Sequence, residues 1–302
     1  MTIAIVGLGK MGAQLARLIV EAGHRVIAID PNPDAVSAAV EFGALSALDR
    51  SEAVQKFGDE PAVVWLMIPA TYVSAEVDSW LGVLPGGSLL IDGGNTDFRE
   101  TQKHAQLASD RDIKFVDVGV SGGILGTTNG FSLMVGGEEA SYRAITPVLD
   151  ALSGPRGGHD YFGAAGSGHY VKMVHNAIEY GMMESLAEGY RMLREGPYDQ
   201  LDLAKAGNIW QKASVIESTL NKLATEVMEA DPTLSSASGP VAESGEARWT
   251  LEVAKQAQID LPAIQASLDV RVASVQGNVN YATKLLAELR NKFGGHAVNT
   301  DK

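Results

Sequence analysis

The residues best suited to acid–base chemistry lie in one short segment, KMVHNAIEYG at 172–181. Lys172, His175, Asn176 and Glu179 follow one another there at intervals of three, one and three. At about 100° per residue, a helix would place these four polar side chains on one stripe. A lysine can act as a base if burial or neighbouring charges lower its pKa, and a glutamate can serve as a separate acid. The alternative is a solvated helix face on which Glu179 forms a surface ion pair.

A base of this kind is needed where a bound cofactor accepts a hydride from the substrate. The N-terminus carries a sequence pattern typical of such a cofactor site. The segment AIVGLGKMG at 4–12 has G-x-G-x-x-G spacing after a predicted strand and at the start of a predicted helix. Glycines at these positions let the backbone approach a pyrophosphate, whose charge is met by N–H groups of the helix N-terminus. The alternative is an ordinary glycine-rich turn. The pattern predicts a dinucleotide site at Gly7, Leu8, Gly9, Lys10, Met11 and Gly12.

Asp30 ends the next predicted strand, about 20 residues beyond the glycines. A carboxylate at that place accepts a hydrogen bond from a ribose 2′-hydroxyl and repels a 2′-phosphate. The following residues, DPNP, contain no arginine that could hold a phosphate. The sequence therefore favours NAD over NADP as the cofactor, with a turn residue or helix N-cap before Pro31 as the alternative role of Asp30.

Two further predicted strands end in polar or glycine-rich residues. Asn95 follows a strand in LLIDGGNTDFRET, and Ser121, Gly122 and Gly123 follow another in FVDVGVSGG. Open α/β folds bind ligands at the carboxyl ends of parallel strands, although both segments are also compatible with plain turns. Together with the helix at 172–181, they would form three walls of one pocket.

The elements that must position these residues form two predicted domains. Up to residue 165, short apolar runs alternate with helical stretches, a pattern typical of βα units in a mostly parallel sheet. One long helix is predicted at 167–196, and helical periodicity without further strands follows it. We therefore expect an α/β Rossmann-type NAD-binding domain at 1–165 and an all-α domain at 166–302, which carries the helix of the substrate pocket.

Composition excludes several other classes of function. A formal net charge of -13 argues against nucleic-acid binding, and a small anionic substrate would need a few local cations. The apolar runs are shorter than the roughly 20 residues of a membrane-spanning helix, and the N-terminus lacks a secretory signal. Without cysteines, a cytoplasmic location is expected. His169 and His175 have no metal-ligand spacing, so no metal is expected.

Several motifs together resemble the 6-phosphogluconate dehydrogenase family, in its short, decarboxylating form within the β-hydroxyacid dehydrogenase superfamily. The similar segments span nearly the whole chain: GLGKMG, IDGGNTDFRET, VDVGVSGG, GSGHYVKMVHNAIEYGMMESLAEGY and RNKFGGH. The resemblance implies oxidative decarboxylation of 6-phosphogluconate to ribulose 5-phosphate in the pentose phosphate pathway. Lys172 would be the base and Glu179 the acid that protonates carbon.

The resemblance also implies roles for residues that spacing alone does not single out. Substrate-orienting positions match Asn95, Ser121, Gly122, Gly123, His175 and Asn176, and phosphate contacts match Tyr180 and Arg271. Cofactor contacts match Ile68, Pro69, Ala70 and Asn95. Arg290 and His296 would reach into the site of a neighbouring subunit, so a homo-oligomer, either a dimer or a tetramer, is expected.

The chain departs from the larger family members in two ways. They carry a lysine-containing KGTGKW segment that touches the phosphate, whereas this chain reads SGEARW at 244–249, and whether Arg248 compensates is open. Its helical domain is also shorter. The rival functions are a non-decarboxylating β-hydroxyacid dehydrogenase for a small hydroxy acid and a dinucleotide sensor without turnover. Glu179 and the cationic RNKFGGH motif favour decarboxylation over the first rival, and a correctly spaced base and acid argue against the second.

Overall fold

A computed structural model describes residues 1–198 and 200–295 of the chain. The contacts divide it into two compact units, Met1–Lys172 and Met173–Lys302. This division differs from the predicted boundary at residue 165, because the beginning of the long helix packs within the first unit. His296, predicted to bind substrate, lies outside the described residues.

The first unit is built on one sheet of eight strands, in the order β3-β2-β1-β4-β5-β6-β7-β8. All neighbouring strands are parallel except β6 and β7. This arrangement confirms the predicted Rossmann-type fold. The strands are β1 Thr2–Val6, β2 Arg25–Ile29, β3 Leu45–Ser46, β4 Val63–Leu66, β5 Leu89–Asp92, β6 Lys114–Ser121, β7 Ser132–Gly137 and β8 Gly158–Gly163.

Helices pack on both faces of this sheet, which explains why β1 and β4 consist almost entirely of apolar residues. Ile3 and Ile5 of β1 belong to one buried cluster, whereas Ala4 and Val6 belong to another, as expected when successive side chains point to opposite faces. The helices of this unit are α1 Lys10–Glu21, α2 Pro33–Glu41, α3 Arg50–Gln55, α4 Ala70–Leu81, α5 Phe98–Ser109, α6 Gly126–Asn129 and α7 Glu139–Ser153.

Two strands were not predicted from the sequence. The edge strand β3 has only two residues, both exposed, so it carries no hydrophobic periodicity. The other, β8, lies in a glycine-rich segment just before the predicted boundary at residue 165, and none of its residues is fully buried. Both are recruited by pairing with a neighbouring strand rather than by their own apolar pattern.

The long helix α8, Ser167–Glu195, continues from the first unit into the second and ends before Gly196 and Pro197, close to its predicted end. The second unit adds α9 Leu203–Trp210, α10 Thr219–Ala230, α11 Glu246–Ala257, α12 Pro262–Val275 and α13 Tyr281–Gly294. Its main core joins α8, α10 and α13 through residues such as Met183, Leu223 and Leu285. The unit is helical, as predicted, and its described helices include none long and apolar enough to cross a membrane.

Candidate active site

The glycine loop between β1 and α1 has the backbone geometry that its spacing predicts. Gly7 has φ of 91°, a conformation that side chains rarely allow. A Cβ atom on Gly12 would overlap the carbonyl oxygen of Gly7, whereas a Cβ on Gly9 would meet nothing within 4 Å. Two glycines therefore let α1 pack closely on β1, and the third keeps the space outside the loop open.

The N-terminus of α1 fits a bound pyrophosphate. Its N-cap residue is Gly9, which has no side chain to accept hydrogen bonds from the first turn, and that turn contains no acidic residue. The partial positive charge of a helix N-terminus attracts an anion, and a free carboxylate would compete for this place. The residues present therefore fit the phosphate groups of a dinucleotide.

Asp30 follows β2 and is tied to the glycine loop. Its Oδ2 accepts a hydrogen bond from the Leu8 N–H at 2.6 Å, and its Oδ1 accepts one from the Asn32 N–H at 2.8 Å. The N-cap of α2 is Asn32, which accepts from the Asp34 N–H, so Asp30 is a turn residue and not the cap. Each carboxylate oxygen has a second lone pair, so Asp30 can still accept a hydrogen bond from a ribose hydroxyl.

The segment predicted to line the cofactor lies at the carboxyl end of β4. A Cβ on Gly7 would meet the Ile68 side chain at 2.8 Å, so Ile68 lies directly against the glycine loop. Pro69 is the N-cap of α4, and Ala70 is the first residue of that helix. In the next connection, Asn95 lies between β5 and α5 and is partly buried.

The carboxyl end of β6 carries the second predicted polar segment. Ser121 is the last residue of the strand, and Gly122 and Gly123 follow with φ of 141° and 57°. A 3₁₀ turn then runs over Gly123–Leu125. The two glycines therefore turn the chain sharply after Ser121 in a conformation that other residues rarely adopt.

Lys172 is held beside β6 by the way α8 begins. Asp117 of β6 is fully buried, and its two oxygens accept hydrogen bonds from the N–H groups of Gly166 at 2.7 Å and His169 at 2.8 Å. A Cβ on Gly119 would overlap the Lys172 side chain, so the lysine stem packs directly on this glycine. Gly119 and Ser121 are two residues apart in β6, so they lie on the same face of the strand. Lys172 therefore packs on the face that also carries Ser121.

The rest of the polar stripe on α8 belongs to the second unit. The His175 Nδ1 atom lies 3.0 Å from the Asn176 Oδ1 atom and 4.0 Å from the Glu179 Oε2 atom. Asn176 donates a hydrogen bond from Nδ2 to Oε1 of Glu246 at 2.7 Å. His175, Asn176 and Glu179 of the predicted stripe therefore lie in contact with one another or with Glu246, and His175 and Glu179 are partly exposed.

Arg271 of α12 forms a candidate anion site with α8. It is 2% exposed, and its guanidinium carbon lies 3.3 Å from the centre of the Tyr180 ring. Its Nη2 contacts the Met183 sulfur at 3.7 Å, whereas Nε and Nη1 have no hydrogen-bond partner among the described residues. Burial lowers the pKa of Arg271, and the nearby charge of Arg290 lowers it further. Two buried N–H groups without acceptors favour an oxyanion ligand.

Sequence reasoning missed two glutamates of this unit. Glu246 is 2% exposed and holds Asn176, as described above. Glu184 lies one helical turn beyond Tyr180, and neither of its oxygens has a hydrogen-bond partner among the described residues. Burial raises the pKa of Glu184 to about 7, with a further contribution from Glu188. Glu184 lies off the polar stripe, and SGEARW was compared with the family only for its missing lysine and for Arg248, so the sequence singled out neither glutamate.

The described residues contain no cluster of three or more histidine, cysteine or acidic side chains arranged to hold a metal ion.

Two family models match the chain. The NAD binding domain of 6-phosphogluconate dehydrogenase matches residues 2–163, and the 6-phosphogluconate dehydrogenase C-terminal domain matches residues 168–300. A Haloferax volcanii protein named NAD(+)-dependent, decarboxylating 6-phosphogluconate dehydrogenase is 38% identical over 300 residues, which cover 99% of this chain and 98% of that protein. A putative 6-phosphogluconate dehydrogenase of Bacillus subtilis is 34% identical, over 98% of this chain and 99% of its own length.

Solved structures agree with these matches. Plasmodium falciparum 6-phosphogluconate dehydrogenase superimposes with a TM-score of 0.82 at 26% identity, covering 100% of this chain and 66% of that one. Mycobacterium tuberculosis 3-hydroxyisobutyrate dehydrogenase, with a TM-score of 0.73 at 21% identity, covers 94% of this chain and 98% of its own and shares the fold. Because both family models match and a relative 38% identical covers nearly the full length, the chain belongs to the 6-phosphogluconate dehydrogenase family.

Proposed function

We propose that the protein catalyses the oxidative decarboxylation of 6-phospho-D-gluconate to D-ribulose 5-phosphate and CO₂ with NAD. The observation that carries this proposal is α8, a single helix that presents a lysine, a glutamate seven residues later, and a tyrosine stacked against a buried arginine. On a continuous helix, Lys172 and Glu179 are two turns, or about 10 Å, apart along the axis. That separation suits two proton transfers at different atoms of one substrate.

Lys172 acts as the base in the first step. NAD, bound at the glycine loop, supplies the hydride acceptor. Lys172, in its neutral form, takes the proton from the C3 hydroxyl as hydride leaves C3. Contact of its stem with Gly119 fixes the position of the amine relative to the end of β6, where Ser121 orients the substrate. Asn95, Gly122 and Gly123 complete the substrate contacts on this side.

The resulting 3-keto acid loses its C1 carboxylate, because the ketone can hold the developing charge as an enolate. Lys172, now protonated, donates its proton to the enolate oxygen. Glu179 then protonates the former C2 of the substrate, which is C1 of the product, while the enol hydroxyl returns its proton to Lys172 and becomes the ketone. His175 and Asn176 hold the substrate hydroxyl groups, so the base and the acid act on different atoms of one bound molecule.

Arg271 and Tyr180 bind the substrate phosphate. The Tyr180 oxygen accepts a hydrogen bond from the Ser244 N–H at 3.1 Å and lies 3.4 Å from the Ser244 hydroxyl oxygen, so its own hydrogen can be donated to a phosphate oxygen. Arg248 is engaged by Glu243 through hydrogen bonds at 3.0 and 2.5 Å and is largely exposed. Arg248 is therefore already paired, and Arg271 is the cation that we assign to the phosphate.

NAD is the preferred cofactor, because the Asp30 carboxylate occupies the place next to the glycine loop where a 2′-phosphate would have to bind. Replacing Asp30 by Ala should lower kcat/KM for NAD relative to that for NADP, measured with the same substrate. An unchanged ratio in the D30A variant would overturn this assignment.

The protein forms a homo-oligomer in which Arg290 and His296 complete the site of a neighbouring subunit. Exposed apolar side chains on one face of α8 support this proposal, since Ile178, Met182 and Met192 are 52%, 51% and 65% exposed. Light scattering after size exclusion tests the assembly. If sites are shared, mixing the inactive Lys172→Met and Arg290→Ala chains after mild dissociation restores partial turnover; no recovery means that Arg290 serves its own chain.

One assay separates the candidate activities. Purified protein is incubated with NAD and 6-phosphogluconate while NADH absorbance is followed and released CO₂ is trapped. NADH with equimolar CO₂ supports the proposal. NADH without CO₂ favours a β-hydroxyacid dehydrogenase, and the absence of both products favours a dinucleotide sensor.

A further inference from the structure

The SGEARW segment, residues 244–249, packs on the face of α8 that carries the polar stripe. Ser244 donates its backbone N–H to the Tyr180 hydroxyl at 3.1 Å, and Glu246 accepts from Asn176 at 2.7 Å. Thr250 follows the segment and approaches the Met173 carbonyl at 3.4 Å. The segment and Thr250 together therefore contact α8 at three successive turns.

The contact between Glu246 and Asn176 has a defined direction. A carboxylate can only accept hydrogen bonds, so the Asn176 amide must turn its NH₂ group towards Glu246. Its oxygen is then directed to Nδ1 of His175, 3.0 Å away. Because an amide oxygen can only accept, the proton of a neutral His175 ring must lie on Nδ1. The remaining ring nitrogen, Nε2, becomes a hydrogen-bond acceptor.

We propose that Glu246 is a positioning residue, which fixes the amide orientation of Asn176 and, through it, the tautomer of His175. In this state Nε2 of His175 accepts a hydrogen bond from a substrate hydroxyl. This consequence for turnover rests on the proposed function, whereas the tautomer itself does not. The proposal also gives the SGEARW segment a role: it orients groups on α8, and it does not bind phosphate with a lysine as KGTGKW does in the larger family members.

The surroundings of Glu246 favour a charged side chain at this place. Glu246 is the first residue of α11, immediately after its N-cap, where the helix N-terminus stabilises a negative charge. It is 2% exposed, so little water competes for its oxygens. A buried carboxylate in a good electrostatic environment is a strong acceptor and holds its donor in one orientation.

The tautomer can be tested on the ligand-free parent protein. Nitrogen-15 NMR of the histidine side chains distinguishes a ring protonated on Nδ1 from one protonated on Nε2. Signals of His175 are assigned by their loss in the His175→Ala variant. We expect the neutral ring to carry its proton on Nδ1. A proton on Nε2 in the folded parent would overturn the proposal without any change at Glu246.

Two variants then test Glu246 itself. Glu246→Ala leaves the Asn176 amide without its acceptor, so we expect a mixture of His175 tautomers and a loss of about tenfold in kcat/KM for the substrate. Glu246→Gln keeps an oxygen that Asn176 can donate to, so it should keep the Nδ1 tautomer. The affinity for NAD should not change in either variant.

Glu243→Ala is the matched control, because Glu243 lies just before the same segment and pairs with Arg248 rather than with α8. An unchanged tautomer in Glu246→Ala, or kinetics equal to those of Glu243→Ala, would refute the positioning role. If the parent does not oxidise 6-phosphogluconate at all, the proposed function fails, and the tautomer measurement still decides the proposal about Glu246.

Discussion

The two units position their functional groups by different means. In the first unit the backbone positions most of the functional groups. Glycines let helices pack closely on strands, and the strand ends place Asn95 and Ser121. Buried Asp117 accepts hydrogen bonds from backbone N–H groups at the start of α8. In the second unit, side chains hold other side chains, as Asn176 is held by Glu246, and Arg271 by Tyr180.

This difference has consequences for how each region tolerates substitution. A site built from backbone geometry fails when an atom is added, because the packed interior has no room for it. A site built from paired polar side chains fails when a partner is removed, because a buried polar group is left unsatisfied. Each region should therefore have its own characteristic damaging variants, and four measurements test this contrast.

The largest expected effect is at Lys172, where the backbone of the first unit positions a reactive group. Lys172→Met should lower kcat by about a thousandfold, because a general base typically accelerates a reaction by roughly 10²–10⁴-fold. Binding of NAD, measured by calorimetry, should be unchanged. Lys103→Met is the control, because Lys103 is an exposed lysine paired with Glu100. Turnover near that of the control would show that Lys172 is not the base.

The next largest effect is expected at Arg271 in the second unit, where a side chain holds another side chain. Arg271→Met removes the buried cation that stacks on Tyr180, so the KM for 6-phosphogluconate should rise by about a hundredfold. The KM for NAD should stay the same. Arg248→Met removes an exposed arginine already paired with Glu243 and should have little effect. Equal changes in the two variants would argue against Arg271 as the phosphate contact.

An added methyl group at Gly119 tests the backbone-built region. Gly119→Ala pushes against the Lys172 stem, and a displacement of about 1 Å can reduce turnover by up to about a hundredfold. We expect kcat to fall by about tenfold or more while the fold survives. Gly158→Ala is the matched control, since a Cβ there meets nothing within 4 Å. Unchanged kcat in Gly119→Ala would mean that Lys172 is not positioned by this contact.

The smallest effect concerns stability and the buried Glu184. Its pKa is raised from 4.5 to about 7 by burial, so its contribution to stability is full below pH 4.5 and is lost as the pH rises through about 7. In Glu184→Gln, the free energy of unfolding should no longer fall over this pH range. The difference from the parent amounts to at most about 3 kcal/mol. Urea unfolding at about pH 5 and about pH 8 measures the difference.

The exposed Glu195, paired with Arg191 on the same helix, gives the control variant Glu195→Gln. That control should keep the pH dependence of the parent. If Glu184→Gln also keeps the pH dependence of the parent, the pKa of Glu184 is not raised by burial.

Much of the first unit could be predicted, because local periodicity and glycine spacing act over short stretches of chain. Patterns within about 20 residues show the alternation of strands and helices, the loop at Gly7 to Gly12 and the single helix around Lys172. The strands β3 and β8 were missed, since their formation depends on the neighbouring strand. The functional roles of the site residues remain predictions, to be decided by the experiments above.

Less of the second unit could be predicted in detail. Its helices are visible as periodic apolar segments, but periodicity does not say which polar residues meet. Asn176 and Glu246 are 70 residues apart, and Arg271 reaches Met183 across 88 residues. Such pairs form only after the helices pack, so Glu246 and Glu184 carried no signal in the chain.

Sequence alone therefore decides the two-unit architecture, the cofactor loop and the polar face of α8, because each depends on the geometry of neighbouring residues along the chain. Tertiary structure decides which groups are buried and which are paired: Asp117 at the start of α8, Arg271 against Tyr180, and Glu246 on Asn176. The physical reason is that burial and hydrogen bonding between distant residues are set by packing, which local patterns do not encode.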